Sequence, residues 1–277
     1  MPNSQPAAPR RPFGLAPLGF LDLPPPDLVS LAAAAGFSSC ALRTVPATPG
    51  GAAFALHDDP PLLRETRRRI ADTGVAVTQI ELIALSEETD IAALGPVLDA
   101  AAEVGARQVL CSGDDALDVV SERFAALCDA AGARGLSPCL EFMPFRALKT
   151  LADARAVVRA AGRPNGAICI DLLHLIRSGG SPEDLSALEP EWVGAIQICD
   201  APLTPPPPEG LAEEARERRM LPGTGGLPLR RILEALPRDC PLDAEVPIAA
   251  AFPDASPRER AGMIHAATAA VLAQVQP

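Results

Sequence analysis

Short apolar runs return along this chain at intervals of about 30 residues, the length of a strand-plus-helix unit, and that rhythm limits the fold more than any other feature. The runs cover 13–20, 38–42, 75–84, 107–111, 137–142, 167–171, 194–199 and 242–246. Between them lie stretches rich in Ala, Leu, Glu and Arg with helical spacing, such as ETRRRIADTG and SERFAALCDAAGARG. Near-continuous apolar strands are what a parallel sheet buried on both faces requires. Eight alternating units therefore predict an α/β fold, a (β/α)8 TIM barrel, with a doubly wound open sheet as the competing arrangement. Gly36, Gly74, Gly105, Gly135 and Gly162 stand where helices should end and the chain turns into the next strand.

A closed barrel of about 250 residues is one domain, so the 277-residue length does not demand two. Residues 1–12 (MPNSQPAAPRRP) read as a Pro-rich disordered tail rather than a signal peptide, and 13–277 as a single barrel domain. A Pro-rich insertion around 202–220 follows the seventh run: PLTPPPP can be neither helix nor inner strand, and EGLAEEARERRM after it reads as a short charged helix. That arm is either a support for a lid over the site or a spacer.

The formal net charge of -11 opposes attraction to nucleic acid, and no apolar run approaches the length of a membrane span. The seven cysteines are odd in number and form no CxxC pairs, so they read as reduced, structural thiols in a cytoplasmic protein.

In a barrel, catalytic groups belong at the carboxyl ends of strands. Glu141 closes SPCLE, Asp171 closes AICID, Gln197 lies late in GAIQICD and Glu245 closes LDAE. Each alone can cap a helix or pair with an arginine. Together at one mouth, three carboxylates in apolar runs need a compensating cation, because burying an unpaired carboxylate is very costly. Carboxylate and amide oxygens suit one divalent ion, Mn²⁺ or Mg²⁺ first, with Co²⁺ also accommodated.

LEFMPF, IDLLHLIRSGG, GAIQICDAP, RRMLPGTGGLPL and AEVP, taken in this order, resemble the xylose isomerase-like TIM barrels, specifically the sugar phosphate isomerase/epimerase family. The resemblance implies that Glu141 and Glu245 bind metal and exchange the substrate proton, that Asp171 is a metal ligand, and that His174 and Arg219 contact substrate. Two departures stand out. Gln197 occupies a ligand position where the sugar epimerases carry histidine, and Thr224 in PGTG replaces an acid. The resemblance also implies a small carbohydrate-like substrate and allows a homodimer.

The expected function is a metal-dependent isomerase or epimerase that abstracts a proton beside a carbonyl of a sugar, sugar phosphate or related polyol ketone through an enediolate. Dehydration on the same metal site and a non-catalytic metabolite-binding barrel are the alternatives; repair of abasic DNA conflicts with the acidic charge. Glu81 is a further internal acid, placed either to contact substrate or to pair with Arg43. Arg216 and Arg218 either engage a substrate anion or pair with Glu213 and Glu214 on a solvated helix. His57 reads as a solvated loop residue and His265 as structural.

Overall fold

The computed structural model describes residues 11–48 and 50–275. Eight parallel strands close into a barrel in chain order: β1 (Gly14–Leu15), β2 (Ser39–Arg43), β3 (Ala76–Leu85), β4 (Gln108–Gly113), β5 (Ser137–Glu141), β6 (Ala167–Asp171), β7 (Val193–Ile198) and β8 (Leu242–Ala244). Pairing of Gly14 with Asp243 and of Leu15 with Ala244 seals the ring. The expected (β/α)8 barrel is the fold.

Strand pleating sorts the side chains into two apolar layers. On β5, β6 and β7 the alternate residues Cys139, Ala167, Cys169 and Ala195 cluster with Leu82, Leu110 and Met143, filling the barrel interior. Their neighbours Leu140, Ile168, Ile170, Ile196 and Ile198 face the other way, into the larger core under the helices. The same alternation carries Glu141, Asp171 and Gln197 inward at the tops of their strands, where Asp171 lies level with Gln197. Buried at 3%, 0% and 0% exposure, these polar groups sit above an apolar floor.

The first run, expected to be a strand over 13–20, gives only two strand residues. Pro17 has no N–H to give to a sheet, and Pro17–Phe20 forms a 3-10 helix with Pro at its first turn. Gly36 (φ 91°) and Gly162 (φ 60°) end their helices in the left-handed conformation, as expected. At Gly36 a side chain would also press on the His265 ring, which packs between Phe13 and Phe37.

Of the expected tail, residues 1–10 lie outside the described residues; Arg11 donates hydrogen bonds to the carbonyls of Pro237 and Cys240 and so belongs to the barrel's edge. The insertion runs from Pro202 as an irregular arm into a 3-10 turn, Pro208–Gly210, and the helix Leu211–Glu217. Among the described residues no helix is long and apolar enough to cross a membrane.

Candidate active site

A cavity of about 360 Å³ opens at the carboxyl ends of the strands, lined by Glu81, Glu141, His174, Arg219 and Glu245, with Arg43, Arg146 and Arg216 around them and Met143 and Phe145 on its apolar side. Asp171 ends β6 and also caps the helix Leu172–Arg177: its Oδ1 accepts the His174 backbone N–H at 2.9 Å. The capping role and the site role therefore coincide. One turn of helix then lifts the His174 ring over β5, where Nε2 lies 3.6 Å from Glu141 Oε1 and the ring meets the edge of Phe145. Ligand atoms of Glu141, Asp171 and His174 all lie within 4.8 Å of one another.

Arg219 follows the insertion helix and turns back into the mouth. Its guanidinium reaches Asp171 Oδ2 at 2.6 Å and Glu245 Oε2 at 2.8 Å, while Nε donates to the Ala215 carbonyl at 2.6 Å. Glu245 is thus tied to Arg219 and stands outside the three-residue group. Gln197, expected as a metal ligand, turns to other partners: its Nε2 faces Glu81 at 3.4 Å and its Oε1 faces Cys169 Sγ at 3.6 Å. Glu81 pairs with Arg43 at 3.2 Å, one of its two expected placements, and also lines the cavity.

Asp200 fixes the segment that carries Arg219. Buried at the end of β7, it accepts backbone N–H groups from Gly223, Gly225 and Leu227, and its main chain exchanges hydrogen bonds with Met220. Gly225 must be glycine there, because a side chain would collide with Asp200 and the Ala201 carbonyl.

Of the two helical arginines, Arg218 pairs with Glu213, whereas Arg216 lies over the Phe145 ring at 5.6 Å and lines the cavity. Glu214 pairs instead with Arg177, at 2.7 Å, in a buried contact that bolts the insertion helix to the helix bearing His174. Arg146 escaped the sequence reading altogether. It reaches the cavity from the loop after β5, held by Asp114 and the Ala47 carbonyl. Its position five residues beyond Glu141, in a strand-end loop, was the available signal. His57 faces Asp58 and does not line the cavity.

The model of the xylose isomerase-like TIM barrel family matches residues 29–264. The chain belongs to that family. This xylose isomerase-like barrel is 28% identical over 184 residues to a 3-dehydroshikimate dehydratase of Pseudomonas aeruginosa, an alignment covering 61% of the chain and 28% of that longer protein. Among solved structures, it superposes on the IolI protein with a bound zinc atom at TM-score 0.79 and 16% identity, covering 96% of this chain and 99% of that one. It superposes on D-psicose 3-epimerase with D-fructose at TM-score 0.74 and 15% identity, covering 95% and 99%. Those two likenesses are of fold.

The charges of this barrel's mouth do not balance. Glu81, Glu141, Asp171 and Glu245 are buried carboxyls; Arg43 answers Glu81 and the single Arg219 is shared by Asp171 and Glu245. Among the described residues Glu141 has no Lys or Arg partner, and buried His174 Nδ1 has no hydrogen-bond partner. Burial, then the charges of Glu245 and Asp171, push the Glu141 carboxyl well above the usual range. Burial likewise lifts Glu245, to about 8, despite Arg219. Asp171 is also buried, but Arg219 and His174 hold it below its ordinary value. Burial lowers His174 to about 4, leaving a neutral imidazole at pH 7. Carboxyls in excess of their arginine partners, which a bound cation would let ionise, and an imidazole within reach fit a divalent cation.

Proposed function

We propose that this barrel is a divalent-metal-dependent enzyme that removes a proton beside the carbonyl of a small hydroxy-ketone bearing an acid group, and that the outcome is loss of water. The observation that carries the reading is the Glu141–His174 pair at 3.6 Å, both buried, at the head of the cavity. Burial and the charges of Glu245 and Asp171 make Glu141 a stronger base than an ordinary carboxylate, and a neutral imidazole can donate a hydrogen bond to a substrate oxygen. When bound, a divalent ion, Mg²⁺ or Mn²⁺ by its donor set, would polarise the carbonyl and offset the negative charge that develops as the proton leaves.

Glu141 takes the proton from the carbon next to the carbonyl. The electron pair of that C–H bond forms a double bond to the neighbouring carbon, whose hydroxyl departs, and Glu141 returns the proton to it as water. Phe145 and Met143 exclude solvent on one side. Arg216, which among the described residues has no carboxylate partner, offers its guanidinium to the acid group from above Phe145. Arg146 and Arg216 on the cavity wall give an acid group cationic partners beside the glutamates.

Elimination is placed ahead of the epimerisation expected from the sequence for a further reason. Epimerisation needs a base on each face of the carbon, and Glu245 is engaged by Arg219. The dehydratase relative supports the same order. Epimerisation remains the second reading because Glu141 and Glu245 both line the cavity.

Proton NMR in deuterium oxide with Mg²⁺ separates the two. Elimination predicts consumption of 3-dehydroshikimate with new aromatic signals, since the dienone left by loss of water enolises to a catechol, or of another acidic β-hydroxy-ketone with a new vinylic signal. Exchange into D-psicose or D-fructose without elimination would favour the epimerase, and exchange into none of these would count against enzymatic proton abstraction on such substrates.

A further inference from the structure

We propose that Arg219 and the divalent ion compete for the carboxylates of Asp171 and Glu245, so that the guanidinium serves as the site's own counter-ion until metal displaces it from at least one of them. This rests on the metal-dependent reading above. Arg219 is 4% exposed and fully engaged: one terminal nitrogen on Asp171 at 2.6 Å, the other on Glu245 at 2.8 Å, and Nε on the Ala215 carbonyl at 2.6 Å. Asp171 Oδ1 accepts the His174 backbone N–H and Oδ2 carries Arg219, so a cation bound at either oxygen lies within a few ångströms of the guanidinium.

A single positive charge bridging two carboxylates also repels any second cation brought within a few ångströms in a poorly screened site. Arg219 thereby keeps the mouth folded without metal and weakens metal binding in the same act. Nε and its Ala215 anchor give the side chain a pivot. The guanidinium can leave a carboxylate without leaving the cavity wall, where a substrate oxygen or acid group would receive it.

The test is Mn²⁺ affinity, read at pH 8.5 from the electron paramagnetic resonance signal of free Mn²⁺, for the wild type and R219M. Competition predicts that R219M binds Mn²⁺ about ten-fold tighter or more. Equal or weaker binding by a folded R219M, beside measurable wild-type binding, overturns the competition and leaves the proposed function standing. Absence of Mn²⁺ binding by both proteins overturns both. Should R219M fail to fold, the wild type decides: in ¹⁵N-arginine-labelled protein, saturating Mg²⁺ should shift the slowly exchanging Arg219 Nε–H resonance or expose it to exchange. A resonance unmoved at saturation overturns the proposal.

Discussion

At 3% exposure and with no Lys or Arg partner among the described residues, the Glu141 carboxyl is the group that this mouth leaves least compensated. E141Q removes the base while keeping the volume, and should lower proton abstraction by about 10²-fold or more with the fold unchanged, measured as turnover alongside circular dichroism. Retained turnover would take Glu141 out of the chemistry. Asp243, at the lower end of the barrel, makes a separate prediction. Burial raises it from 3.8 to about 7, opposed only by the Thr78 hydroxyl, and its Oδ1 has no hydrogen-bond partner. A raised carboxyl holds its proton in the folded state, so its contribution to stability is full below the unfolded value near 3.8 and is lost as pH rises through about 7. D243N should flatten that fall between about pH 4 and 7 in denaturant titrations; an unchanged slope would mean the carboxylate is compensated. Glu141, Asp171 and Glu245 were legible because they interrupt apolar strand ends, whereas His174 and Arg219 were assigned to the site by the family resemblance. Arg146 was not, since an arginine in a loop looks the same whether it faces solvent or a cavity. Gln197 was legible in place, at a strand end, while its partners depend on rotamer and depth.

Asp200 shows how an element rather than a residue shapes the site. Three backbone N–H groups of the 223–227 segment converge on one buried carboxylate, and the Met220 bridge sets the direction in which Arg219 enters. D200A should cost about 3 kcal/mol, since several charge-assisted hydrogen bonds vanish together and leave buried donors unpaired. Hydrogen exchange should quicken at Gly223, Gly225 and Leu227, and wild-type protection there would contradict the latch. The insertion helix is held by the second device, the Glu214–Arg177 pair. E214Q leaves Arg177 buried without its charge partner and should destabilise by about 3 kcal/mol, read in urea. The sequence disclosed a charged helix at this place but not its partner. Glu214 has Arg218 four residues on, the usual helical pairing, yet it turns inward to Arg177 because that face packs on the neighbouring helix. β1 was overestimated for a local reason, since an apolar run containing Pro17 looks like a strand until the missing N–H is counted.

Over the whole molecule, the 30-residue rhythm called for parallel strands buried on both faces, and eight such units are the number that closes into a barrel with helices outside rather than a doubly wound open sheet. Closure then decides function, by bringing residues more than a hundred positions apart in the chain to one rim. Spacing along the chain shows that strand-end acids will meet; it does not show which carboxylates face a cation and which face an arginine, and here Asp171 and Glu245 meet Arg219. On the proposed function, Glu141, Asp171 and His174 surround a divalent ion. Anomalous diffraction from crystals soaked in Mn²⁺ would locate it. Metal-dependent chemistry predicts a manganese peak bonded to Glu141 and Asp171, with His174 or Glu245 beside it. A saturating soak that leaves no peak at the barrel mouth, with Arg219 still bridging its two carboxylates, would contradict it.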